Sequence, residues 1–115
     1  MPVYNSAINP KCLDVGRSMT LFDGTEANAP LSSVAFARGH SPSAMDGGTS
    51  FFCSGMGGES ISIEASNTDV DGDYVDVSGS LTADGNGNAA FTDTGRAAFY
   101  RVTKTAGTPV VKAQR

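Results

Sequence analysis

The densest set of ligand-type side chains is the run Asp69-Val70-Asp71-Gly72-Asp73, whose alternating carboxylates are the oxygen donors that a hard cation such as calcium takes. The register departs from the helix-loop-helix calcium loop. With Asp69 as position 1, the glycine falls at position 4 instead of 6, and position 12 is Ser80 instead of Glu. Two readings stay open: a non-standard surface calcium site on Asp69, Asp71 and Asp73, or a tight hairpin turn at Asp71-Gly72 with solvated carboxylates.

Other chemistry has less to work with. His40 is the single histidine, in Arg38-Gly39-His40-Ser41-Pro42, so any nucleophile-histidine pair must use it, and no Gly-x-Ser-x-Gly elbow occurs. Gly55-Met56-Gly57-Gly58 and Gly85-Asn86-Gly87-Asn88 resemble phosphate cradles only in glycine content. Neither is followed by Gly-Lys-Ser/Thr, and both read as turns. Cys12 and Cys53 lack a second Cys or a His at zinc-ligand spacing; two buried free thiols are expected, with a Cys12–Cys53 bridge as the alternative. The expectation is a chain with no catalytic set, no cofactor and no enzymatic activity.

The elements that would carry these residues follow from composition. Glycine, serine, threonine and alanine supply 51 of the 115 residues, whereas leucine, lysine, glutamate and glutamine supply 11. Residues that fill helix surfaces are therefore scarce, which argues against bundles, coiled coils and doubly wound α/β folds. A hydrophobic content of 39% with 17% charge is too apolar for a disordered tail. The apolar runs, such as Val34–Ala37 and Ala97–Tyr100, are far shorter than the roughly 18 residues of a membrane helix, so no membrane association is expected. Met1–Ser6 lacks the basic and apolar regions of a secretory leader, so synthesis and assembly in a cytoplasm is the expectation.

Along the chain, residues 1–16 read as an extended arm with Pro2, Pro10 and Gly16, and residues 17–115 as one β-sandwich domain. Strands are expected at Arg17–Phe22, Leu31–Arg38 and Ser50–Cys53, the last inside a glycine-rich stretch from Gly39 to Gly58. Ser60–Ala65 alternates with period 2 and turns Ile61, Ile63 and Ala65 to one face. Tyr74–Ala83 alternates as well, with Val75, Val77, Gly79 and Leu81 on its buried side. Asp84–Asn88 is a turn, Ala89–Thr92 a strand, and Arg96–Thr103 a central strand, apolar on both faces. Pro109–Lys112 is expected at an edge, because proline cannot donate to a ladder. Many short strands at this spacing predict an all-β fold, an antiparallel β-sandwich or jelly roll with an extended arm and long glycine-rich loops.

Net charge is −4, which excludes an overall phosphate-neutralising surface and with it direct nucleic-acid binding. The charge is uneven: eight acidic and no basic residues lie between Glu59 and Asp93, and Arg96, Arg101, Lys104, Lys112 and Arg115 follow without an acid. Two readings fit, a basic last strand paired with acidic neighbours or a basic edge that docks on an acidic partner.

Ile61-Ser62-Ile63-Glu64-Ala65-Ser66-Asn67, the acidic turn, Tyr74-Val75-Asp76-Val77, Leu81, Phe91 and Phe99-Tyr100-Arg101-Val102 together resemble the β-sandwich of small virion structural proteins of tailed bacteriophages. The ending Phe91–Gly95 followed by Phe99–Val102 is also similar to the close of immunoglobulin-like modules of bacterial surface proteins. The resemblance spans about residues 60–103. It implies a head decoration, or cement, protein located in the virion, a homo-oligomer (a trimer in many such proteins), with the major capsid protein as its partner. Val3, Tyr4, Ile8, Met45, Phe51, Phe52 and Met56 are the apolar residues expected to make those contacts, one of Phe51 and Phe52 alternatively being core. The competing class is a carbohydrate- or surface-binding sandwich module, such as a tail or fibre component, in which Asp, Asn and an aromatic platform hold a sugar.

Overall fold

A computed structural model describes residues 12–14, 16–38, 48–95 and 97–115. Val3, Tyr4, Ile8, His40 and Met45 lie outside them. The chain forms two packed sheets, the expected all-β sandwich, with no α-helix among the described residues. The strands are β1 (Cys12–Leu13), β2 (Ser18–Asp23), β3 (Leu31–Ser32), β4 (Phe36–Arg38), β5 (Thr49–Ser54), β6 (Ser60–Ser66), β7 (Val75–Asp76), β8 (Leu81–Thr82), β9 (Ala89–Asp93), β10 (Phe99–Lys104) and β11 (Val110–Gln114). The larger sheet runs β1-β4-β10-β6-β7, with β3 also on β10 and β8 also on β6; the smaller runs β2-β11-β5-β9. Pairing is antiparallel throughout except between β1 and β4.

The period-2 strands set the layers. Ile61, Ile63 and Ala65 of β6 lie beside Tyr100 and Val102 of β10, facing Phe51 and Cys53 of β5 and Val111 and Ala113 of β11, all buried. At the centre Phe36 stacks on Tyr100 and Phe51 is tilted against both, with ring centroids 5.6–6.2 Å apart. The Tyr100 hydroxyl, unable to reach water, donates to Asp93 Oδ2 at 2.5 Å. Burial pushes the Cys53 thiol up to about 11.

Several expectations change. β11 is central in its sheet, because Pro109 stands one residue before the first paired position, Val110, and no ladder bond is lost. Tyr74–Ala83 is two short strands, and Val75, Val77 and Gly79 are exposed. Val75 pairs with Ala65 and so points to the core side, yet it is 63% exposed because β7 is the outermost strand of its sheet. Leu31–Arg38 breaks into β3 and β4. Leu13, counted in the arm, is buried in the core. Cys53 is a buried free thiol as expected, whereas Cys12 is free but exposed.

The parity of β10 carries one further residue inward. Lys104 follows Tyr100 and Val102 on the core side and is buried, its Nζ donating to the carbonyls of Ala27 (2.5 Å) and Gly107 (2.6 Å) 5.7 Å from the Phe22 ring centroid. Glu59, also buried, accepts from the Gly57 amide at 2.5 Å, and its carboxylate occupies the space a β-carbon on Gly107 would need.

Candidate binding face

The smaller sheet presents to solvent a face built on its two central strands. Alternation in β5 turns Thr49, Phe51 and Cys53 inward, so Phe52 must point outward, where it remains 50% exposed. The register sets Phe52 between Lys112 of β11 and Ala90 of β9, and Lys112 beside Thr20 of β2. One row away, Ser50 and Thr92 share a hydrogen bond of 2.8 Å. Alanine beside an aromatic ring leaves the ring flank uncovered. The result is a cleft of about 470 Å³ lined by Phe52, Ser54, Ala90, Val110, Lys112 and the Asp84–Asn88 turn.

The rim of that cleft is rigid. Asp84 Oδ1 accepts from the amides of Asn86 (2.8 Å) and Asn88 (3.0 Å), and the Asp84 amide donates to the Asn88 carbonyl. The Asn88 and Asn86 amides hold the Asp84 carboxyl below its usual range, so it is an anion at neutral pH. The Met56 amide in turn donates to the Gly87 carbonyl at 3.0 Å, while the Met56 side chain is buried.

Of the apolar contact residues expected from sequence, Phe52 alone among the described ones is exposed. Phe51 belongs to the aromatic core and Met56 plugs it, so neither side chain is offered to a partner: inward parity takes the first, and the latch to Gly87 the second. The sequence reading missed Lys112 as a neighbour of Phe52, because that pairing exists only once β11 lies between β2 and β5.

The structure does not bring the three carboxylates of the calcium reading together. Asp69 Oδ1 accepts from the Tyr74 hydroxyl at 2.7 Å, Asp71 pairs with Arg101, and Asp73 Oδ2 accepts from the Thr68 hydroxyl at 2.8 Å. The three carboxylates serve separate partners, and no group of three His, Cys, Asp or Glu among the described residues is placed to hold a metal ion. The turn is nonetheless well fastened: Arg101 donates to Glu64 Oε1 at 2.6 Å and lies 4.1 Å from the centroid of the Tyr74 ring. It presents Val70 and Val75 to solvent.

The basic residues of the C-terminal part are placed differently, Arg96 lying outside the described residues. Arg101 pairs with acidic neighbours, Lys104 is buried on backbone carbonyls, and Arg115 donates to the Leu13 carbonyl at 2.8 Å, whereas Lys112 stands on the cleft. Comparison with protein-family models, curated proteins and solved structures finds no match to this chain.

Proposed function

We propose that this chain is a structural protein of a phage virion that binds the capsid surface and stabilises the shell, docking through the Phe52–Lys112 face. The observation that supports this reading is the half-exposed Phe52 on a central strand, with a cation beside it and a rigid turn at its rim. An aromatic anchor held on a stiff sheet loses little side-chain entropy on docking and is the kind of residue that dominates interface energy. The complementary partner surface inserts an apolar side chain against the ring and offers a carboxylate to Lys112. In this reading the major capsid protein supplies both.

The test is co-sedimentation with shells stripped of the protein. Phe52→Ala should weaken binding at least tenfold, and Lys112→Glu several-fold, with both variants folded. Unchanged binding of Phe52→Ala would overturn the assignment of this face. The presence of Asp84 and Asn88 on the same cleft favours a second reading, a sugar ring stacked on Phe52. Glycan-array binding lost in Phe52→Ala, with no affinity for shells, would select it.

A further inference from the structure

The larger sheet has two unlike edges. On one side the outermost strand is β1, which begins at Cys12, where residues 1–11 join it; on the other it is β7, an edge two residues long. Around β7 lie the exposed Val70, Val75 and Val77, among Asp69, Asp71, Asp73 and Asp76. Three exposed valines thus lie on a fastened turn and an edge strand, interspersed with four carboxylates. Residues 1–11 have the complementary chemistry: Val3, Tyr4 and Ile8 are apolar, Lys11 is the one charged side chain, and no acid is present. The seven residues between Pro2 and Pro10 contain neither glycine nor proline. In an extended chain they place Tyr4 and Ile8 on the same side.

We propose that the Val70–Val77 edge is the docking site for residues 1–11 of a second copy of this chain, laid along β7 in extended form. Strand addition at an open edge gives affinity through main-chain hydrogen bonds and specificity through alternate side chains. Distance favours a second copy over the same one. Residues 1–11 enter at the far edge, four strand spacings away, or about 19 Å at roughly 4.8 Å each. Crossing that width would consume about six residues at ~3.3 Å apiece, Ser6 to Lys11, so that Ile8 and Lys11 would be spent on the crossing and could not lie along β7 with Val3 and Tyr4. A segment from a neighbour reaches the edge without that crossing. Because donor and acceptor lie on opposite edges, the contact is head-to-tail, and it closes into a ring or continues as a chain according to the rotation between copies. The inference concerns self-association and stands apart from the shell reading, which is tested on a different face.

Two variants test it by complementation. A chain lacking residues 1–11 keeps the acceptor edge and the buried Leu13; Val75→Asp keeps the donor segment and changes a residue that is largely exposed, so both should fold. Light scattering after size exclusion should show the full chain above monomer mass, each variant alone as a monomer, and the equimolar mixture as a one-to-one dimer that grows no further. Lys11→Glu in the donor chain should weaken that dimer several-fold. A monomeric full chain at ~100 µM, a mixture that stays monomeric, or a dimer indifferent to Lys11→Glu would each overturn the proposal. Shell binding lost in Val75→Asp by a chain that is monomeric throughout would reassign the edge to the shell.

Discussion

Replacing Gly107 by alanine probes the buried end of the sandwich where Lys104 and Glu59 meet the same backbone residue. Two costs add. Gly107 has φ +76°, a region that costs an L-residue about 1–2 kcal/mol. A β-carbon there would also lie 2.6 Å from Glu59 Cδ and 3.1 Å from Oε1, so the carboxylate, the far end of a flexible side chain, must shift, and at most it gives up the amide of Gly57. A hydrogen bond to a charged group contributes about 1.5–3 kcal/mol, so the expected loss exceeds the conformational cost and reaches at most about 5 kcal/mol. Gly55→Ala is the control: its φ is +67°, but no atom lies within 4 Å of the added carbon, so it should cost only the conformational ~1–2 kcal/mol. Equilibrium urea unfolding of the two variants measures the difference, expected to be positive and up to about 3 kcal/mol with unchanged m. In a Glu59→Ala background the two glycine substitutions should cost the same. If Gly107→Ala is no more destabilising than Gly55→Ala in the wild-type chain, the packing of Glu59 against Gly107 is not what holds this end.

Tyr100→Phe removes the hydroxyl that donates to Asp93 and should lower stability by about 1.5–3 kcal/mol; a thermal midpoint within 2 °C of wild type would count against that bond. The Cys53 thiol, raised by burial from 9.0 to about 11, keeps its proton in the folded state while the unfolded chain ionises. Stability from this group is therefore intact below pH 9 and falls as pH rises from 9 to 11, by on the order of 2–3 kcal/mol. The wild-type urea midpoint should drop more steeply over that range than that of Cys53→Ala, and parallel curves would refute the assignment. Thiol labelling of the native protein should modify Cys12 rapidly and Cys53 only on unfolding, as peptide mass mapping would show.

Legibility in the sequence followed burial. The alternation of β6 was readable because one face of that strand is fully covered, and β10 was recognised as central because apolar residues occupy both its faces. Tyr74–Ala83 shows the same period, but period reports the side a residue points to and not whether anything covers that side. Val75 therefore faces coreward at an open edge. Phe51 and Phe52 illustrate the same limit, since adjacent aromatics must take opposite faces and parity alone does not say which is inside. The Lys104–Gly107–Glu59 arrangement was hidden for a different reason. The ammonium is satisfied by main-chain carbonyls, whose positions depend on how the Ala27 and Gly107 loops fold back and carry no residue signature.

The two outer faces differ in how much of their polarity is already used. On the outer face of the larger sheet Arg101 is shared between Glu64 and Asp71 and covers Tyr74, so a partner docking flat on that face, unlike a strand added along the β7 edge, would have to break charge-assisted bonds before forming its own. On the smaller sheet the central row is Thr20, Lys112, Phe52 and Ala90, where the aromatic ring needs only to shed water and a lysine side chain can swing toward an incoming carboxylate. Desolvation of an apolar ring is favourable, whereas desolvation of a paired guanidinium is costly. The smaller sheet is thus the cheaper surface on which to form an interface, even though the larger one carries more charge. With a single lysine at its centre, binding there should depend weakly on salt and strongly on Phe52.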